Sequence, residues 1–393
     1  MTIADRASQI AVTGNTPATR PANNAYFPAL DGLRGLAFLM VFAYHYLQLP
    51  WGWAGVDVFF VLSGFLITGI LFDTRDHPHR VRNFYVRRTL RIFPLYYGIF
   101  LVLLLVDPLF HWNWDWGWLV WLAYLGNWLL FFPALVDPAH MTALAGAHLV
   151  SLHFPRVELL LGHFWTLCIE EQFYLVWPWL VFGLRDRKRL LWVCAACVVV
   201  CPALRVLAVG RLPQPLLASG ISCWFTPLRI DALLLGALIA LLRRGPHARA
   251  MLLTARAGFV LLTAVVLIWL VLNPAARPSL GGGYAYPSWD ATWGLSFVEA
   301  LAACLIVLAL EFNSLAFHIF SLRPLRWLGR ISYGAYVFHD IPHLMLERVA
   351  HHFWVHWWAA TAVLAFLFTL LMASASFYGF ESRFIGLKER WTR

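Results

Sequence analysis

Charge is scarce in this chain. Charged residues make up 13% of 393, only 20 of them acidic, whereas 61% of the sequence is hydrophobic. A soluble domain carries about a quarter charged residues, so a water-exposed globular surface is excluded. Cysteine is sparse as well: Cys168, Cys194, Cys197, Cys201, Cys223 and Cys304 all fall in apolar segments, which excludes a disulfide framework. Cys194, Cys197 and Cys201 share a helical spacing, and small packing residues explain them better than a metal site does. Residues 1–25 lack an apolar core of signal-peptide length and read as a disordered polar tail. There is no internal repeat, no GxSxG elbow and no HExxH. "GGGYAYPSWD" from Gly281 follows no strand, so it does not read as a phosphate loop.

What the chain has instead is aromatic apolar runs. Its 21 Trp, 30 Phe and 13 Tyr gather at the ends of those runs, where interfacial belts belong. A spanning helix needs about 20 mostly apolar residues. Ten segments qualify, at 33–50, 55–72, 90–107, 164–184, 190–209, 224–242, 255–273, 293–312, 331–348 and 357–379. The net charge of +10 comes from basic residues in short connecting loops, such as "RVRNFYVRR" from Arg80 and "RDRKR" from Arg185. That pattern sets membrane orientation and argues against nucleic acid. With ten helices, the basic loops and both termini share the cytoplasmic side. A spanning segment at 118–136 would break this pattern, so that stretch is expected to be re-entrant or interfacial, interrupted at Gly126 and Asn127. The fold class is therefore an all-α membrane bundle. Residues 26–384 form the transmembrane domain, and residues 385–393 a basic cytoplasmic tail.

Ionisable residues inside spans are costly and mark function by default. His45, Glu170, Glu171, Arg229, Asp231 and Asp57 all fall in the outer half of the expected membrane. At 1.5 Å per residue, His45 lies roughly 7 Å and the glutamates about 9–10 Å below the outer surface. Two readings are open for this set: a wet active site, or ion pairs that only hold the bundle together. His45 suits proton transfer, because imidazole titrates near neutrality. Arg34, Arg87, Arg88 and Arg91 lie at the inner end, where guanidiniums either snorkel or bind an anion such as phosphate. His140, His148, His153 and His163 imitate a metal site on an outer loop, but their irregular spacing favours interfacial or acceptor contacts. No metal is expected.

Six segments in order resemble the acyltransferase-3 family of polytopic membrane acyltransferases. They are "LDGLRGLAFLMVFAYH", "GVDVFFVLSGFLIT", "RRTLRIFPLYY", "HFWTLCIEEQFYL", "RIDALLLG" and "LGRISYGAYVFH". The resemblance implies transfer of an acyl group, typically acetyl, from cytoplasmic acyl-CoA to a hydroxyl. The acceptor would be an extracytoplasmic carbohydrate or small molecule, and no cofactor stays bound. It implies catalysis at His45 and Glu170, with Asp231 as a further carboxylate that could orient the ring, and donor binding by Arg34, Arg88 and Arg91. Within the matched segments Asp57, Ser63, Trp165, Glu171, Arg229, Ser332, Tyr333 and His339 are expected to line the tunnel or touch the acceptor. His45 acts either as general base or as an acylated nucleophile. The family's closing Glu-x-Pro departs here, since Arg383 follows where Pro is expected, and this puts Glu381 in doubt. A proton-coupled transporter of envelope glycan is the competing class, and a purely structural membrane protein a third. A bacterial inner membrane is the expected location, and the oligomeric state is not legible.

Overall fold

A computed structural model describes residues 26–47, 49, 51–110, 117–129, 161–211, 221–272, 290–342 and 358–392. Every regular element among the described residues is helical. The polar tail expected at 1–25 lies outside them, as do His140, His148 and His153.

Six helices are long and apolar enough to cross a membrane: Ala54–Asp73, Arg80–Val106, Arg187–Arg211, Ala248–Trp269, Thr292–Ala309 and Ala359–Trp391. Three of the other four expected spans correspond to α1 (Pro28–Leu47), α6 (Trp165–Leu184) and α8 (Ile230–Arg243), while the span expected at 331–348 overlaps α12 (Arg323–Phe338) only in its first eight residues. At 14 and 16 residues, α8 and α12 reach only about 21 and 24 Å. A hydrocarbon core is about 30 Å thick. All four carry ionisable side chains, and α8 lies almost wholly inside the bundle. The polar interior is shared between these four and the longer helices, which contribute Asp57, Arg88, Arg91, Arg205 and Glu299.

Two helix pairs make the most extensive contacts: α2 (Ala54–Asp73) with α8, and α1 with α12. Glycine permits both approaches. Gly64 on α2 faces the backbone carbonyl of Leu233, and Gly236 on α8 faces that of Val61. In the second pair Gly329 meets the carbonyl of Asp31, and Gly35 that of Leu325. Without a hydrophobic effect between helices in lipid, such close backbone contact supplies the packing attraction.

Around this centre stand α3 (Arg80–Phe110), α7 (Arg187–Arg211), α9 (Ala248–Leu272) and α13 (Trp358–Ser376), with α10 (Leu295–Ala309) partly inside. Their outer faces are apolar and exposed, as at Leu105, Trp192, Val260 and Leu371. An apolar outside around a charged inside suits a lipid solvent. The α13 helix runs through a π turn, Phe377–Glu381, into α14 (Ser382–Trp391), which packs on α3.

The segment expected to be re-entrant is broken. It forms α4 (Gly117–Leu122) and α5 (Gly126–Leu129), joined where Tyr124 takes φ 56°. Six residues of helix extend only about 9 Å, too little to cross. The interruption falls just before Gly126 and Asn127. Gln172 of α6 holds it, donating to the Tyr124 carbonyl at 2.8 Å and to Asn127 Oδ1 at 2.9 Å. Asn127 in turn donates to the Trp224 carbonyl and Thr226 Oγ1, at 3.0 and 2.9 Å. Polar side chains thus satisfy backbone that lipid could not. Residues 130–136 lie outside the described part.

Candidate functional site

Positions eleven residues apart on α1 lie about 16 Å apart along the axis. Arg34 and His45 therefore belong to different ends of the same site. At one end, Arg34 joins Arg88 and Arg91 of α3 in lining one cavity between the helices. Ser63, Glu170, Ser332 and Tyr333 line it too, so sequence-predicted residues from five helices meet there.

The Arg88 guanidinium lies over the Tyr174 ring, 3.6 Å from its centroid. Its carboxylate neighbours are looser: Glu170 at 4.0 Å and Glu171 at 3.7 Å. Both exceed hydrogen-bond range, and Arg88 Nε is buried without a hydrogen-bond partner. Tyr174 is fixed from behind by a hydrogen bond with Ser63. Tyr333 donates to the Ile92 carbonyl at 2.8 Å, clamping α12 to α3. Three guanidiniums thus share a cavity whose wall holds a single carboxylate, Glu170. Such a surplus of fork-shaped donors is the chemistry of an anion site.

Glu381, doubtful on sequence, is buried in the π turn. It accepts from Ser376 Oγ at 2.7 Å and lies near enough to Arg91 for the two charges to attract. π turns inside helices recur at functional sites.

The other end is built from histidines. The His45 and His339 ring centroids are 5.0 Å apart, and those of His163 and His339 4.8 Å. His339 Nδ1 lies 2.6 Å from the Tyr336 carbonyl, and Tyr46 donates to the His339 carbonyl at 2.7 Å. Asp340 Oδ2 sits 3.5 Å from His163 Nδ1. Tyr336 connects the two ends. It lines the arginine cavity, its ring lies 5.3 Å from both His163 and His339, and its hydroxyl donates to the His163 carbonyl at 2.8 Å. Thr166 Oγ1 in turn lies 2.8 Å from that hydroxyl.

Three sequence expectations are relocated by these contacts. Glu170 or Asp231 was expected to orient His45, but both Asp231 oxygens are taken by Arg205, at 3.0 and 2.7 Å. The carboxylate found at the histidines is Asp340. Glu170 meets Arg88 in the arginine cavity. Arg229 and Asp57 bond to each other at 2.5 Å, and Arg229 also reaches Glu299 at 3.0 Å. Together with Arg205 these groups form a buried ion network, the open alternative to an active-site role. Trp165 stands behind the cavity, its ring 6.1 Å from that of the lining Phe60.

Sequence reasoning missed Arg205, Glu299, Tyr336 and Asp340 as site or network residues. The signal was present for two of them: Arg205 in "CPALRVLAVG" and Glu299 in "SFVEALAACL" are lone charges in apolar runs. Among the described residues the cysteine trio forms no metal-type cluster, and the group with that geometry is His45, His339 and Asp340.

The acyltransferase domain of the acyltransferase-3 family matches residues 27–376. The chain is 32% identical over 337 residues to a putative peptidoglycan O-acetyltransferase, YrhL of Bacillus subtilis, covering 81% of this chain and 48% of that protein. It is 29% identical over 395 residues to the peptidoglycan O-acetyltransferase OatA of Listeria monocytogenes, covering 93% and 58%. With the O-acetyltransferase OatA of Staphylococcus aureus it shares 25% over 336 residues, covering 80% and 50%. The chain spans about half the length of these curated relatives. No solved structure matches it significantly. Matched through nearly all of its helical length, this chain belongs to the acyltransferase-3 family of membrane acyltransferases.

Proposed function

We propose that the chain is a membrane O-acyltransferase that moves an acetyl group from cytoplasmic acetyl-CoA to a hydroxyl of an extracytoplasmic glycan. The observation that carries this reading is the shared wall at Tyr336, which sets a three-arginine cavity directly against a histidine cluster. The names of the relatives point to peptidoglycan as the acceptor class. In this reading the ten apolar segments all cross a bacterial inner membrane, both termini are cytoplasmic, and acyl-CoA enters at the arginine end.

Arg34, Arg88 and Arg91 hold the phosphates of the donor, and the pantetheine arm runs along the cavity toward Tyr336. His45 removes the proton of the acceptor hydroxyl as its oxygen attacks the thioester carbonyl. The carbon–oxygen bond forms, the carbon–sulfur bond breaks, and the imidazolium returns its proton to the departing CoA thiolate. Thioester and ester stand at the same oxidation level, so no redox partner is needed. Glu170 holds Arg88 in place from the cavity side.

The test uses isolated membranes containing wild type or His45→Ala at matched abundance, supplied with radiolabelled acetyl-CoA and peptidoglycan strands. Removal of a general base costs about 10²–10⁴-fold. Label should enter the glycan with wild type and fall by that factor with the variant. Transfer that persists in His45→Ala would remove the residue from the chemistry. Transfer that requires a proton gradient, and ignores competing free CoA, would favour a carrier instead.

A further inference from the structure

We infer that His45, His339 and Asp340 form a binding site for a divalent transition-metal ion of the zinc class, and that an ion held there blocks acyl transfer. The inhibitory half rests on the role given to His45 above, because a metal would occupy the lone pair that the base needs. The binding half stands apart from it.

The ligand atoms of the three residues lie within 4.8 Å of one another. A tetrahedral set on bonds of about 2.1 Å has ligand atoms about 3.4 Å apart. The cluster is thus slightly open, and side-chain rotation closes it on the ion. The protonation pattern suits a metal. His339 Nδ1 is 2.6 Å from the Tyr336 carbonyl, so it carries the proton and leaves the Nε2 lone pair free. That nitrogen is buried, has no hydrogen-bond partner, and belongs to a fully enclosed side chain. Metal-binding histidines commonly donate their second N–H to a backbone carbonyl in this way.

The carboxylate lies beside a third imidazole, Asp340 Oδ2 standing 3.5 Å from His163 Nδ1. The His163 ring packs on that of His339, which limits how far the site can spread. Two imidazoles and one carboxylate make a borderline donor set. It suits zinc, cobalt or nickel, and lacks the thiolates of a copper(I) site and the oxygen shell of calcium or magnesium. Asp340 keeps 16% of its side chain accessible, which gives an ion a way in.

The experiment takes the purified full chain in detergent, strips it with chelator, and titrates it with cobalt(II) chloride, read by visible absorption, and with zinc chloride, read by equilibrium dialysis. The site predicts one ion per chain and the strong visible bands of tetrahedral cobalt. Binding should weaken at least tenfold in Asp340→Asn and again in His339→Gln, with both variants checked for a single monodisperse peak. Zinc should inhibit transfer at the concentration that fills the site, each variant scored against its own metal-free rate, and chelator should restore it. Absent binding, or binding unchanged in both variants, overturns the site and leaves the acyltransferase reading untouched. Binding that both variants weaken, without any loss of transfer, overturns the inhibitory half and the role of His45 as base together.

Discussion

Arg205 and Asp231 face each other fork to fork, Nη1 on Oδ1 at 3.0 Å and Nη2 on Oδ2 at 2.7 Å, with neither side chain more than 1% exposed. Arg205 also donates to Ser296 Oγ at 2.6 Å and to the Leu228 carbonyl at 2.5 Å. The pair therefore ties α7 to α8 and to α10. Arg229 extends the same network to Asp57 on α2 and Glu299 on α10. Four helices are joined by five charged groups that no water reaches.

Breaking one half of such a pair leaves an uncompensated buried charge, which costs about 3–5 kcal/mol. Arg205→Met and Asp231→Leu should each lose folded yield and unfold at lower temperature in detergent. The double variant should recover much of the loss, because two apolar side chains of similar volume replace a satisfied pair. Transfer per folded molecule should survive in the double variant. A folded Asp231→Asn protein with normal melting and no transfer would instead return Asp231 to the chemistry.

Separation along a single helix was legible in the sequence; azimuth was not. A rise of 1.5 Å per residue puts Arg34 and His45 at opposite ends of α1 from their spacing alone. It also leads to the expectation of Asp231 and Glu170 in the outer half, yet Glu170 lines the arginine cavity, and spacing does not say which way either residue points. Asp231 turns to Arg205 and Glu170 to Arg88 because α7 and α3 come alongside, a non-local fact that no single run of residues encodes. The ion network was legible as a cost, since lone charges in apolar runs must find partners, but the partners were not. The span expected at 224–242 forms a helix of 14 residues, α8. α8 is short and enclosed by neighbours, so length and hydropathy understate its membership in the bundle.

Arg88 combines a planar cation stacked on Tyr174 with weakly engaged carboxylates, so its remaining donors are available to a phosphate. A hydrogen bond to a charged group contributes about 1.5–3 kcal/mol, or roughly 10–150-fold in affinity. Arg88→Ala should raise the KM for acyl-CoA by that factor and leave the acceptor KM unchanged. Arg88→Lys should not rescue it, because an ammonium neither stacks as a plane nor binds in a fork. Initial-rate kinetics with each substrate varied in turn decides the matter. Equal rises in both KM values would point to a general disturbance of the cavity.

Close backbone approach at Gly64 makes α2 and α8 sensitive to a single added side chain. A Cβ there would collide with the Leu233 carbonyl, which belongs to the helix backbone and cannot rotate away. Gly64→Leu should force the helices apart, costing at least about 1–3 kcal/mol by overpacking and abolishing folded protein where the shift is not accommodated. Gly98 on α3 is the contrast: its nearest neighbour is Phe380 Cε1 at 4.0 Å, an ordinary contact. Gly98→Ala should be neutral, or stabilise by up to about 1 kcal/mol through helix propensity. Folded yield by fluorescence-detected size exclusion separates the two.

Tyr336 is the residue through which the two ends of the site touch, and its ring and hydroxyl can be tested apart. The hydroxyl donates to the His163 carbonyl at 2.8 Å, while Thr166 Oγ1 lies 2.8 Å from it and 3.2 Å from that same carbonyl. In Tyr336→Phe the threonine keeps the carbonyl as a partner, so stability should drop by only about 1 kcal/mol. The cavity wall stays closed and the KM for acyl-CoA should hold. Slack in His163, and through it in His339, should lower kcat by roughly tenfold, the effect of about 1.4 kcal/mol in the barrier. Tyr336→Ala removes the wall itself, and transfer should fall much further as the thioester loses its fixed position beside the histidines. If the phenylalanine variant were as inactive as the alanine variant with melting unchanged, the hydroxyl would have to touch the reacting atoms, as a donor to the developing oxyanion.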